Sequence, residues 1–383
     1  MGAALCADEI VAIVHEIAPP HRSQSGQSGQ VSARILVQPT KHRAEYNVLM
    51  VTVDREQCEK VASLLRGTPI PEDREDTSLS GIHRSVLSDF LFLVVAICHQ
   101  TTPASGEPAL QGWIDGKLTR GWDYLLRRLA DESMRDPRWT TPSAWPYLTG
   151  HDLRVALRDP EAGDRITDPE GRAELVRDLG NRLLARSWSS VSDIKTACEG
   201  RIGGHAPNLI SELAGFRAYQ DPVRKKTFYF LALMRNFGLW SYTDEANLGP
   251  PADYHEVRGH LRIGTVRVVD ATLLGRLIGR KRVSVVEDNA IRSCVVEAIV
   301  RVAEGVGVTP SRAHYMFWNL FRNICTRENP QCFDLHADNP LPTRYRSLTV
   351  LAPSGRGCPF AKVCLHAGRT VMPQDPVVIT EYH

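Results

Sequence analysis

The residues best placed to do chemistry lie between 221 and 265. Lys225 and Lys226 open one apolar stretch, and Asp253 opens the next. A fixed carboxylate stabilises positive charge that builds up in a transition state and orients an attacking nucleophile. A lysine is a nucleophile only where desolvation or a neighbouring cation lowers its pKa; otherwise its ammonium anchors phosphate. Each of these residues also has a plain structural reading. Asp253 stands where a helix N-cap would stand, and Glu256 three residues on completes the capping-box pattern. Lys225 and Lys226 stand at the exposed start of a helix.

A second constellation lies near the C-terminus in CTRENPQC and CPFAKVC. Six residues separate Cys325 from Cys332, five separate Cys358 from Cys364, and twenty-five separate the two pairs. Where no secretory leader is expected, two close cysteine pairs point to metal ligands more than to disulfides. Four thiolates suit a 4Fe-4S cluster or a structural zinc. Cys6, Cys58, Cys98, Cys198 and Cys294 are isolated and expected to be packed. Between Arg258 and Arg282 stand Arg258, Arg262, Arg267, Arg276, Arg280, Lys281 and Arg282 against one acid, Asp270. This strip suits a phosphate backbone or a solvated helix face.

These residues need helices to position them. Apolar residues at 228, 230, 231, 233, 234 and 237 predict a buried helix stopped by Gly238. The stretch SYTDEANLGPP predicts the loop to a second helix beginning at Asp253. IHRSVLSDFLFLVVAICH predicts a core helix over 82–99 with Gln100 at its end. A helical pattern over 112–128 carries Trp113, Trp122 and Tyr124; Trp122 can be core or the wall of a base pocket. An irregular connection over 136–171 surrounds a short helix at HDLRVALRD, and further helices are expected at 171–187, 189–200 and 206–216. NAIRSCVVEAIVRVAEGVG and SRAHYMFWNLFRNIC predict two more, the second delivering Cys325 off its end. Ahead of all these, residues 1–20 read as a short helix, HRSQSGQSGQ as a loop, VSARILVQP and AEYNVLMVTV as strands, and DREQCEKVASLLRG as a helix closed by Gly67.

At 383 residues the chain can bury a sizeable core. Its 43% hydrophobic and 23% charged residues are ordinary for a globular protein, and a net charge of +2 does not by itself announce a nucleic-acid partner. The N-terminus carries Asp8 and Glu9 inside its apolar run and has no basic start, so no signal peptide is expected. FLFLVVAIC is far too short to span a membrane. A cytoplasmic protein with no membrane partner is expected.

The order of these features resembles the helix-hairpin-helix superfamily of DNA glycosylases, above all endonuclease III and the adenine glycosylases. LVVAICHQTTP is similar to that family's early helix ending in Gln-Thr. KKTFYFLALM is similar to the helix bearing its Lys-Thr pair, and PADYHEVRGHLR to the segment with the catalytic Asp followed by His and Arg. The two cysteine pairs resemble the ends of its iron-sulfur loop, with a middle spacing of twenty-five in place of two. Such an insertion is allowed, because closure entropy grows slowly with length. The glycine-rich hairpin before the Lys is absent, and FRAYQDPVRKKT stands in its place. The runs ELVRDLGNRLL, LISELAGFRAYQD, VRKKTFYFLALM and ADYHEVRGHLRIG also resemble the queuosine salvage proteins, which hydrolyse the N-glycosidic bond of a 7-deazaguanine nucleotide but lack the cysteine loop.

Both resemblances imply cleavage of a base from its sugar. The fold expected is mostly α, a two-lobed glycosylase-like helical core over 81–322, with an accessory α+β region over 1–80 and a cluster loop and tail over 323–383. The activity expected is that of a DNA glycosylase, with the base extruded into a helical cleft. Asp253 would be catalytic, and Lys226 would be the lyase nucleophile or a phosphate anchor. Gln100, Trp122, Lys225, His255, Arg258 and Arg262 would bind substrate or DNA, with Gln100 filling the vacated stack. Cys325, Cys332, Cys358 and Cys364 would hold a 4Fe-4S cluster or, as the alternative, zinc. The partner expected is DNA and the state a monomer. The alternatives are a queuosine-type nucleotide N-glycosidase and a DNA-binding protein without chemistry.

Overall fold

The computed structural model describes residues 50–72, 79, 81–101 and 109–382. Among them the chain is mostly helical, with two antiparallel sheets of two strands each. No helix among them is long and apolar enough to cross a membrane. The helix, loop and first strand expected over 1–39 lie outside the described residues.

Two hydrophobic cores organise the rest. The first is centred on α2 (Leu87–Ala96), whose sequence LSDFLFLVVA is apolar almost all round and is therefore buried all round. Against it pack α3 (Gly121–Arg135), α5 (Pro169–Ala185) and α8 (Lys225–Asn236). Short helices α4 (Gly150–Leu157), α6 (Ser192–Ala197) and α7 (Leu209–Leu213) complete this side. A hairpin of β2 (Gln111–Ile114) and β3 (Lys117–Arg120) stands where the helix over 112–128 was expected to begin. Its turn, Asp115-Gly116, has φ of 51° and 73°, the left-handed pair that a two-residue hairpin turn requires. The helix therefore starts only at Gly121, with Trp113 exposed on a strand and Trp122 in the first helical turn.

The second core is built around α11 (Val285–Val306), opened by a Ser284–Glu287 capping box and closed by Gly307 at φ 81°. It packs against α1 (Arg55–Leu65), α9 (Tyr254–Ile263) and α12 (Pro310–Asn323), and α10 (Ala271–Ile278) follows the strand β4 (Val266–Val268). Gly259 lets α9 and α12 approach closely, since a Cβ there would lie 2.1 Å from the Phe321 ring. β1 (Val51–Val53) pairs with β4, and Val61, Ala62 and Leu65 of α1 are buried in the same core. Residues 51–65, expected within an accessory region ending at 80, are thus part of this core, because so short a strand needs a partner and finds it at 266–268. Tyr345, on the single turn α13 (Thr343–Arg346), joins Leu341, Leu348, Phe360 and Val378 in that core. Among the described residues, this core takes side chains from both sides of the boundary expected at 323.

A buried ion pair ties the two sides together. Arg292 of α11 donates to both oxygens of Asp221, which lies just before α8 and is only 3% exposed. Asp221 also accepts the N–H groups of Val223 and Lys225, at 3.1 and 2.8 Å. Burial alone would raise its pKa, but Arg292 and these N–H groups hold it below the ordinary carboxylate value.

Candidate active site

Between the two cores lies a cavity of about 510 Å³, within the range that takes a nucleotide-sized ligand. The first core contributes Cys98, Gln100 and Thr101 beyond α2, Arg120 and Trp122 at the hairpin and α3, and Lys225 and Tyr229 on α8. From the second come Asp253, Tyr254 and His255 at the start of α9 and His314, Tyr315, Trp318 and Arg322 on α12. Arg327 and the segment 375–378 supply the remaining wall.

Asp253 is the N-cap of α9, and the capping box with Glu256 forms as its spacing predicts. Its Oδ1 accepts the N–H of His255 at 2.8 Å and of Glu256 at 3.3 Å. Its Oδ2 accepts the indole N–H of Trp318 at 3.0 Å. Capping and lining the cavity are therefore the same act, since the cap fixes the carboxylate in the wall. Burial raises its pKa, while His255, Lys225 and His314 together with the Glu256 N–H outweigh burial and hold it below the ordinary carboxylate value. The helix N-terminus favours the anion further.

His255 faces the cavity with its Nδ1 3.0 Å from a guanidinium nitrogen of Arg258. A guanidinium can only donate, so Nδ1 accepts and the ring proton sits on Nε2. Burial pushes the pKa of His255 down to about 3, so the ring is neutral at ordinary pH. Aromatic faces and cations alternate around it: Trp122 meets Tyr229 edge-on at 5.1 Å, Arg322 lies over Trp318 at 4.8 Å and Arg327 over Tyr254 at 5.1 Å.

The two lysines separate. Lys225 lines the cavity, 3.7 Å from the Cys98 sulfur and 5.9 Å from the Tyr229 ring centre. Lys226, expected to be catalytic, is fully buried and turned away from it. Its ammonium donates to the carbonyls of Ala96 and Glu381 and lies 3.4 Å from Nδ1 of His99. Burial lowers its pKa to about 7, yet its place behind the wall denies it a substrate. The physical reason is the apolar stripe of α8, which turns 226, 230 and 233 inward together.

Gln100 reaches the cavity wall with a left-handed backbone (φ 46°) and donates to the Val378 carbonyl at 2.8 Å, so it ties the C-terminal segment down. Trp122 also lines the cavity. Arg258 and Arg262, expected to meet DNA, are buried instead, 2% and 1% exposed. Arg258 pairs with Asp375 at 3.0 Å and donates to the Cys325 carbonyl at 2.7 Å. Arg262 donates to the Thr326 carbonyl at 2.7 Å and the Gln374 side chain at 2.7 Å. They lie one turn apart on the face of α9 that meets the end of α12 and the loop beyond, so they organise that loop. Of the basic strip, Arg267, Arg280, Lys281 and Arg282 are exposed.

Cys325, Cys332, Cys358 and Cys364 converge on one small apolar pocket beside Arg262 and His366. The Cys358 N–H donates to the Cys332 carbonyl at 3.0 Å, Arg262 approaches the Cys325 sulfur at 3.3 Å, and the Cys364 thiol donates to the Arg262 carbonyl at 3.2 Å. Burial and then the nearby Cys325 sulfur push the Cys358 thiol pKa well up, and burial pushes that of Cys364 to about 12. Such crowded, dry sulfurs are the donor set a soft cationic group relieves. Among the described residues, however, no three His, Cys, Asp or Glu side chains are gathered tightly enough to grip one metal ion. A 4Fe-4S cluster takes one thiolate on each of its four irons, so its cysteine sulfurs stand farther apart than those around a single zinc.

Several cavity residues escaped the sequence reading: His314, Trp318, Arg322, Arg327 and Asp375. Asp375 pairs with both Arg258 and Arg327; burial raises its pKa, but the two guanidiniums bring it down to about 2. The one available signal was helical spacing, which puts 314, 318 and 322 on one face of α12. Scans against protein-family models and curated proteins return no match for this chain.

Proposed function

We propose that the protein is an N-glycosidase that releases a base from DNA, with Asp253 stabilising the positive charge that develops on the sugar. The observation that carries this reading is an anionic Asp253, fixed by three N–H donors in the wall of a cavity with aromatic faces and cationic edges. Aromatic rings such as Trp122, Tyr229 and Trp318 suit a stacked base. Lys225, Arg120 and Arg322 suit the flanking phosphates. A carboxylate held before the substrate arrives costs no reorganisation as charge builds, which is why its contribution is large. The resemblance to the glycosylase superfamily supports the same role for Asp253 and leaves strand cleavage to Lys225 in place of Lys226.

A second reading, a queuosine-type enzyme on a free nucleotide, is favoured by two particular findings. Gln100 is engaged with Val378, and Arg258 and Arg262 are spent inside the protein, which removes one wedge and two phosphate contacts from the DNA reading. The test offers duplex and single-stranded DNA carrying a panel of modified bases, alongside nucleoside 5′-monophosphates of the same bases, with mass spectrometry of released bases. Release from DNA is expected. Release from monophosphates alone would move the assignment to the second reading, and tight DNA binding with no release would make the protein a DNA-binding module.

We also propose that Cys325, Cys332, Cys358 and Cys364 hold a 4Fe-4S cluster, zinc being the alternative. When bound, the group would cross-link the end of α12 to the loop over 358–364 and so brace α9 from behind. Anaerobically purified protein is expected to carry about four irons per chain. Stoichiometric zinc without iron would replace the cluster.

A further inference from the structure

Glu256 does more than cap α9. Its Oε2 accepts the Asp253 N–H at 3.3 Å and lies 2.8 Å from Nδ1 of His314, so one carboxyl oxygen locks the backbone of Asp253 and the ring of His314 at once. His314 is 3% exposed and lines the cavity, and its ring is braced edge-on by Tyr315 at 5.0 Å. A carboxyl behind one imidazole nitrogen fixes the ring orientation and leaves the other nitrogen as the working edge. The titratable groups set against its ring are Glu256 and Asp253 on α9 and Tyr315 beside it on α12, while Lys225, Tyr254, His255, Arg322, Arg327 and Asp375 share the cavity wall with it.

We infer, resting on the N-glycosidase reading, that His314 is the catalytic residue that protonates the departing base, with Glu256 as its positioning residue. A base that leaves with the electron pair of the broken C1′–N bond needs a proton. Asp253 is engaged by three N–H donors and Asp375 by two guanidiniums, so both stay anionic. Nδ1 of His255 faces the Arg258 guanidinium, which blocks protonation there. Among the imidazoles and carboxyls that the described residues bring to the cavity, that leaves the His314–Glu256 pair. In the step, the C1′–N bond breaks and its pair goes to the base while Nε2 of His314 gives its proton to the base. Water then bonds to C1′ through oxygen, and its proton returns to Nε2. Products are the free base and the sugar hydroxyl, with the enzyme restored.

The test uses the full chain on whichever member of the DNA and monophosphate panel the wild type cleaves fastest. His314→Asn places an amide where Nδ1 stands, keeping the contact with Glu256 and removing Nε2. It is expected to lower kcat about a hundredfold or more with KM little changed, the size of a general-acid contribution. The descending high-pH limb of the kcat profile should vanish. Glu256→Gln should lower kcat by less and move that limb to lower pH, because an amide no longer stabilises the imidazolium. Wild-type kcat in His314→Asn, or a reduced kcat with the limb unmoved in both variants, would overturn the assignment while leaving the N-glycosidase reading intact. No base release by the wild type from any substrate would sink both.

Discussion

Asp221 is buried and Asp253 half-buried, and both accept backbone N–H groups where a helix begins, α8 for one and α9 for the other. Asp221 meets four donors, two of them from the Arg292 guanidinium, and its charge is neutralised inside the protein. Asp253 meets three donors, none carrying a formal charge, and the cation Lys225 reaches it only as a fellow lining residue of the cavity. The same residue type in the same local role is structural in one place and a candidate for catalysis in the other. Whether a counter-charge touches the carboxylate, and whether a cavity opens on it, makes the difference. The lysines at the start of α8 repeat the contrast over one residue, Lys225 in the cavity and Lys226 behind it.

Arg292 is what makes Asp221 structural, and its loss should have the largest effect. Arg292→Ala strands the Asp221 carboxylate and should cost about 3–5 kcal/mol of stability, the range for uncoupling a buried pair. Chemical denaturation checks this, and a loss under about 1 kcal/mol would mean that Asp221 is not the anchor described, since such a loss belongs to exposed pairs.

Lys226 sharpens the contrast through pH. Burial lowers its pKa to about 7 from the ordinary 10.5, so above neutrality the unfolded chain binds a proton that the folded chain does not. Stability should therefore rise from about pH 7 toward pH 10, by at most about 1.4 kcal/mol per unit from this group. Lys226→Met should remove that rise. Parallel stability–pH curves for the two proteins would show that Lys226 folds with its proton on.

Trp318 probes the Asp253 side more gently. Trp318→Phe keeps an aromatic wall and deletes the N–H to Oδ2, which should lower base release about tenfold, as expected of one hydrogen bond to a charged group. An equal loss of substrate binding with kcat unchanged would make the indole a stacking surface only.

What was legible in the sequence was what is local. The Asp253–Glu256 box is written within three residues, and the apolar runs of α2, α8 and α11 declare buried helices by their own periodicity. Asp115-Gly116 is equally local, but the spacing of Trp113, Trp122 and Tyr124 around it mimics a helix and hides the hairpin. Direction across the fold was not legible. Arg258 and Arg262 look like a basic surface until Gly259 brings Phe321 and the cysteine loop against the same helix. His314 gains its role only from Glu256, fifty-eight positions away. Lys225 and Lys226 are adjacent in sequence and differ only by which side of the helix the core occupies.

Asp253 is the residue on which the proposed N-glycosidase chemistry depends most directly. Asp253→Asn keeps an oxygen for the His255 and Glu256 N–H groups and removes the charge, so the thermal melt should change modestly. Single-turnover base release from the best substrate of the panel should fall about a hundredfold or more, the scale of one preorganised electrostatic group. A variant that melts like the wild type and releases base at the wild-type rate would show that Asp253 caps α9 and does nothing else.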